Sequence, residues 1–185
     1  MRKIILTLAV SLDGFIEGPN KEIDWIEFTP ETGETLGKFL EEIDTVLYGR
    51  VSYDAWGNYT PADDSSDFEK DFYKKLNKMS KYVFSSSKTE FSGNPKVVKS
   101  DIEQIIENLK QEPGKNIWLY GGAELVSTFI NLGLVDELRL AIFPVILGEG
   151  NPLFKEIKQR VKLRLLEVKS SNSGILELIY EKLLE

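Results

Sequence analysis

The run Ile117-Trp118-Leu119-Tyr120-Gly121-Gly122-Ala123-Glu124 constrains this chain most: an apolar strand-type segment ends in two glycines, and a helical stripe of Leu125, Phe129 and Leu132 follows at once. A strand that passes into a helix within two residues belongs to an alternating α/β architecture. With no side chain at Gly121 or Gly122, a ligand can approach the backbone closely. The following helix points its free amides and positive dipole end at the same place. A dinucleotide pyrophosphate suits such a site. Taken alone, the pair also reads as a tight strand-to-helix turn and nothing more.

The rest of the chain repeats the alternation. Strand-type segments rich in Val, Ile and Leu cover Lys3 to Val10, Thr45 to Tyr48, Lys81 to Ser85, Lys96 to Val98, Asn116 to Tyr120 and Glu137 to Phe143. Two more, Lys162 to Ser170 and Gly174 to Lys182, flank Ser171-Asn172-Ser173-Gly174 and read as an antiparallel hairpin. Helical stripes appear at Leu36, Phe39, Leu40 and Ile43, starting at Thr29-Pro30, and at Phe68, Phe72, Leu76 and Met79, with Ser66 and Glu69 as a capping box. Ile102, Ile105, Ile106 and Leu109 form another, with Ser100 and Glu103 as its box. The expected fold is α/β, with a mixed, mainly parallel sheet between helices, and residues 1–185 are read as a single domain. Gly57 to Asp64 is expected to be a surface loop.

Composition narrows the chemistry. The chain has no cysteine and no histidine, so disulfides, thiolate nucleophiles and imidazole bases are excluded. Acid–base work falls to carboxylates, Tyr, Lys, water or substrate, or a cofactor carries the difficult step. A net charge of −7 argues against coating nucleic acid, and no metal site is expected. No apolar run reaches the roughly 18 residues that cross a bilayer, and Ile4 to Val10 meets Asp13 and Gly14 without a cleavage site for secretion. A cytoplasmic protein is expected.

Two further junctions carry anion-binding residue types. In Tyr48-Gly49-Arg50-Val51-Ser52-Tyr53, Gly49 permits close approach, Arg50 offers a cationic fork and Ser52 a hydroxyl. Ser85-Ser86-Ser87-Lys88 offers three hydroxyls and a lysine, a set that suits a phosphate monoester. Singly, each also reads as an ordinary surface residue or polar turn. Jointly they point to the carboxyl ends of parallel strands, where such sheets collect ligands.

These motifs, with Ser11-Leu12-Asp13-Gly14-Phe15-Ile16, Asp24-Trp25, Gly133-Leu134-Val135-Asp136-Glu137-Leu138 and Pro144 to Phe154, resemble the dihydrofolate reductase superfamily. The closer likeness is to the branch holding the C-terminal reductase domain of the bacterial bifunctional riboflavin-biosynthesis deaminase-reductase, and it spans nearly the whole chain. The resemblance implies a dihydrofolate reductase-like three-layer α/β/α fold that binds NADPH and reduces a small heterocycle, pterin-like or 5-amino-6-(5-phosphoribosylamino)uracil-like.

Carried over by position, the resemblance implies that Gly49, Arg50 and Ser52 lie by the adenosine phosphates and Ser85 and Ser86 by the ribose 2′-phosphate. Tyr120, Gly121, Gly122, Ala123 and Glu124 would lie under the pyrophosphate, and Ala9 and Ile16 beside the nicotinamide. It also implies a cis peptide at Gly121-Gly122 and a homodimer, formed through the apolar C-terminal half where Leu176, Leu178 and Tyr180 share a strand face. The carboxylate that follows the loop tryptophan in dihydrofolate reductases has no counterpart, because the matching distance from Trp25 falls at Pro30. Asp13, Trp25 and Glu34 are the candidates for catalytic work in its place. A coenzyme-binding module with little turnover is the alternative reading.

Overall fold

The computed structural model describes residues 1–27 and 29–183, which divide into two compact units. Unit 1 comprises Met1–Arg2 and Phe28–Tyr120; unit 2 comprises Lys3–Glu27 and Gly121–Glu185. Each unit holds four long-sheet strands, and the mixed, mainly parallel pairing is the one the sequence implies.

In unit 1 the strand order is β5 (Lys96–Val98), β4 (Ser80–Phe84), β3 (Ile43–Gly49) and β6 (Asn116–Gly121, its last residue in unit 2). β3 pairs with β4, and β4 with β5, in parallel. Val46, Leu47, Tyr48, Val83, Ile117 and Leu119 are almost fully buried, which explains the unbroken apolar runs. Helix α1 (Pro30–Glu42) packs on β3 and on α3 (Asp67–Leu76), and the short α2 (Arg50–Trp56) packs on β3 and β4. Along this core, Trp118 meets Phe39 edge-on at 5.3 Å and lies 4.8 Å from Tyr120, which in turn lies 4.7 Å from Tyr48.

The caps separate correct from incorrect expectations. Thr29 caps α1 through a reciprocal box with Thr32, and Pro30 occupies the first turn. Ile43, expected within that helix, instead caps it and opens β3. Ser66 Oγ accepts from the Glu69 amide as expected, but α3 stops at Leu76, short of Met79. The box expected for α4 (Ile102–Gln111) does not form. Its N-cap is Asp101 in the left-handed region, and the Ser100 hydroxyl is spent on the Asp101 carboxylate at 2.7 Å.

In unit 2 the order is β1 (Ile4–Ser11), β7 (Glu137–Phe143), β10 (Leu176–Lys182) and β9 (Leu163–Ser170). β1 and β7 are parallel, and β10 runs antiparallel to both β7 and β9. The expected C-terminal hairpin is closed by Ser171, whose carbonyl accepts from Gly174 N at 3.1 Å and whose Oγ accepts from Ile175 N at 3.0 Å. Helix α5 (Ala123–Asn131) buries Leu125, Val126 and Phe129, whereas Leu132 caps it and is exposed. Two strands went unforeseen: β2 (Phe15–Glu17) and β8 (Asn151–Pro152) form a separate antiparallel pair. They are too short to leave a periodic signal, and both sit in glycine-containing loops.

β10 is an internal strand between β7 and β9, its side chains half-buried except for exposed Leu176. Its neighbour, the edge strand β9, exposes four apolar side chains, Leu163, Leu165, Leu166 and Val168.

Candidate functional site

In unit 1, parallel pairing of β3 with β4 places Gly49 opposite Phe84, so the two junctions that follow these strands emerge side by side. Arg50 opens α2 and is half-exposed; its guanidinium lies 3.7 Å from Asp54 one turn along the same helix. Ser52 is half-buried and Ser86 exposed. Ser85 is buried, its amide bonded to the Val98 carbonyl at 3.0 Å and its Oγ accepting from the Lys88 amide at 2.9 Å. Lys88 then returns across the gap to bond Asp54 at 2.6 Å. The two junctions therefore form one half-exposed patch built on two cations and a carboxylate. Lys88 was legible with the serines as a phosphate-suited set, but Asp54 was not, because its pairing with Lys88 depends on strand register.

Tyr120 ends the β6 side of this unit. Desolvation, with a smaller contribution from Tyr73, drives its phenol well above the ordinary range. It is a hydrogen-bonding or packing group, not a proton source near neutrality.

In unit 2, Gly121 and Gly122 are joined by a cis peptide, as the resemblance implies. Gly121 has φ +109°, a conformation that side-chain-bearing residues avoid. The N-cap of α5 is Gly122, which brings no side-chain cap of its own to the first-turn amides beside buried Ala123. Glu124 is exposed in that turn, its carbonyl accepting from Thr128 Oγ1 at 2.9 Å.

The same unit holds a second constellation at the ends of β1 and β7, where Ala9 lies opposite Ala141 and Ser11 opposite Phe143. Ala9 and Ile16 are both half-buried. Asp13 clasps two loops together. It accepts from Ser11 Oγ at 2.7 Å, the Leu147 amide at 3.2 Å and the Gly148 amide at 2.8 Å. The Leu12 amide reaches the Val145 carbonyl at 2.8 Å, and the Leu153 amide reaches Gly14 at 2.9 Å. Trp25 presents its ring edge-on to Phe143 at 5.6 Å, and its buried indole N–H has no hydrogen-bond partner among the described residues.

The contacts of the three catalytic candidates are distinct in kind. The Ser11 hydroxyl, aided by the Gly148 and Leu147 amides, holds the Asp13 carboxyl below its usual value, so it stays ionised and acts as an acceptor. Its role in the structure is to organise loops. Glu34 is exposed on α1 and paired with Lys38 one turn on, which also lowers its pKa. That is the behaviour of an ordinary surface carboxylate. Trp25 stays at the rim of the β1 and β7 ends as a packing group.

An apolar cavity of about 270 Å³, walled by Ile130, Val135, Leu138, Phe154, Ile157 and Leu163, lies toward the opposite end of β7 from Phe143. It contains none of the candidate residues. Among the described residues no cluster of acidic side chains has metal-ligand geometry, and no helix is long and apolar enough to cross a membrane.

Comparison with known proteins places this arrangement. The family model for the RibD C-terminal domain matches residues 2–176. The uncharacterised protein YyaP of Bacillus subtilis strain 168 is 50% identical over 179 residues, covering 97% of this chain and 94% of that protein. The fold is shared with a candidate riboflavin biosynthesis protein of Shewanella sp. PV-4, with a TM-score of 0.80 at 21% identity over 98% of this chain and 99% of the other. It is also shared with dihydrofolate reductase of Enterococcus faecalis in complex with NADP(H), with a TM-score of 0.65 at 16% identity over 97% and 96%. An α/β chain with this strand order, a paired-glycine junction ahead of α5 and a family match along nearly its whole length belongs to the RibD C-terminal domain family.

Proposed function

We propose that this protein is an NADPH-dependent reductase of a small heterocycle, pterin-like or aminopyrimidinone-like, acting as one functional domain in the cytoplasm. The uncapped first turn of α5 behind Gly121 and Gly122 carries the proposal, because it offers backbone donors and an open approach to a diphosphate. Family membership supports the reaction class. In this reading Gly49, Arg50, Ser52, Ser85 and Ser86 serve the adenosine end of the coenzyme, Tyr120 to Glu124 its pyrophosphate, and Ala9 and Ile16 its nicotinamide.

When bound, the coenzyme supplies a hydride to an electrophilic ring or imine carbon of the substrate, becoming NADP⁺, while the adjacent nitrogen takes a proton. With the Asp13 carboxyl kept ionised, the proton comes from water. Asp13 contributes by fixing the loops at the ends of β1 and β7, and Trp25 by closing the rim against Phe143.

The protein works as a homodimer joined through β9, whose unpaired edge and exposed Leu165, Leu166 and Val168 call for a cover.

Titration with NADPH and NADH, followed by NADPH consumption against a panel of pterins and aminopyrimidinone ribose phosphates, tests the reading. Tight NADPH binding with turnover is the expected result. Binding without consumption across the panel would favour a coenzyme-binding module, and no binding of either coenzyme would refute both.

A further inference from the structure

We propose that Asp54 is the resident counter-ion of a two-cation clamp formed by Arg50 and Lys88, and that the coenzyme's 2′-phosphate displaces it. This inference rests on the NADPH reading and adds two residues, Lys88 and Asp54, to the determinants of coenzyme choice.

The geometry is that of one anion shared by two cations. Asp54 Oδ1 bonds Lys88 Nζ at 2.6 Å, and its other oxygen, Oδ2, faces Arg50 at 3.7 Å. Two oxygens of a phosphate monoester can address the same pair. Lys88 is anchored as few surface lysines are. Its amide is tied to the buried Ser85 hydroxyl at 2.9 Å, and its ammonium lies 4.6 Å from the centre of the Phe91 ring. Phe91 is itself held edge-on by Tyr53 at 5.4 Å, and the Tyr53 hydroxyl donates to the Ser92 carbonyl at 2.7 Å.

The exchange has a favourable direction. The three side chains are 36–46% exposed, so a ligand can reach them, and ion pairs in that setting contribute about 0–1 kcal/mol. A phosphate dianion with charge-assisted bonds to both cations outcompetes a carboxylate held that loosely. Coenzyme lacking the 2′-phosphate offers nothing to the clamp and leaves Asp54 in place. Selectivity then comes from a trade of anions, and the carboxylate sets how large it is.

The test uses the full chain and four ligands, NADPH, NADH, 2′,5′-ADP and 5′-AMP, titrated by calorimetry at fixed ionic strength. Lys88→Met is expected to reduce the NADPH-to-NADH affinity ratio about tenfold, and the 2′,5′-ADP-to-5′-AMP ratio similarly, with Lys88→Arg retaining most of both. Asp54→Asn is expected to raise the affinity for NADPH and 2′,5′-ADP several-fold while NADH and 5′-AMP stay unchanged. Unaltered ratios in Lys88→Met, or weaker 2′,5′-ADP binding in Asp54→Asn with an unchanged melting temperature, would overturn the exchange while leaving NADPH binding intact. A wild-type chain that binds no NADPH would instead remove the underlying coenzyme reading.

Discussion

The Asp13 carboxylate accepts a hydrogen bond from the Gly148 amide at 2.8 Å, tying together two loops 135 positions apart in the chain. Ser11 and the Leu147 amide complete the clasp, and the three donors together favour the ionised form. The folded-state pKa lies below the ordinary 3.8, so the stabilisation is fully present above that value and is lost as the pH falls through the folded pKa. Asp13→Ala should therefore lower the melting temperature at pH 7, and the gap from wild type should close in acid below about pH 3.8. A gap that is constant with pH would show that the charge is not what holds the loops.

Gly121 has φ +109°, while a Cβ built there would meet only Val126 at an ordinary 3.7 Å. The penalty of Gly121→Ala is thus conformational, not steric, and is expected to be about 1–3 kcal/mol. Because the same backbone faces the first turn of α5, NADPH affinity should fall by at least tenfold. Stability is read by urea denaturation and affinity by fluorescence titration. Normal affinity in a destabilised variant would separate this glycine from the pyrophosphate.

Glu34→Gln should leave kcat and KM within about twofold of wild type, because the side chain is exposed and paired with Lys38 on the helix surface. Steady-state kinetics decide this. A large loss of kcat alone would restore Glu34 as a proton donor.

The Arg2 guanidinium is buried in unit 1, paired with Asp44 and bonded to Thr45 Oγ1 at 2.7 Å and to the Lys115 carbonyl. Arg2→Met removes the cation but strands little charge, since Asp44 is 41% exposed and keeps the Lys115 amide at 2.8 Å. The expected loss is about 2–3 kcal/mol, somewhat under that for a fully buried pair. Chemical denaturation measures it.

Leu165→Glu combined with Val168→Lys should convert a dimer to a monomer in light scattering. Both side chains are about half-exposed on the β9 edge, where added charge opposes strand pairing and apolar cover. A dimer that persists in this variant places the interface elsewhere.

Much of the fold could be read from residues because its strands are buried on both faces. Ile4 to Leu6 and Val46 to Tyr48 are unbroken apolar runs for that reason. Local chemistry also reported reliably where only local partners compete, as at Thr29 with Thr32. It failed at Ser100, whose hydroxyl found the adjacent Asp101 carboxylate before the helix amides. The candidate site was legible as glycines and serines at strand ends. The Asp54 bridge was not, because Lys88 and Arg50 meet only through the register that sets Gly49 against Phe84.

That β1 finds its parallel partner within unit 2 only at Glu137 to Phe143 governs when this unit can close during synthesis. The ribosome releases Ile4, Ile5 and Leu6 first, yet β7 emerges more than a hundred codons later, and the hairpin that flanks it later still. Closure of this half therefore waits on β7, with a sticky β1 segment exposed in the meantime, and nascent chains stalled before β7 are the ones that holdase chaperones should capture.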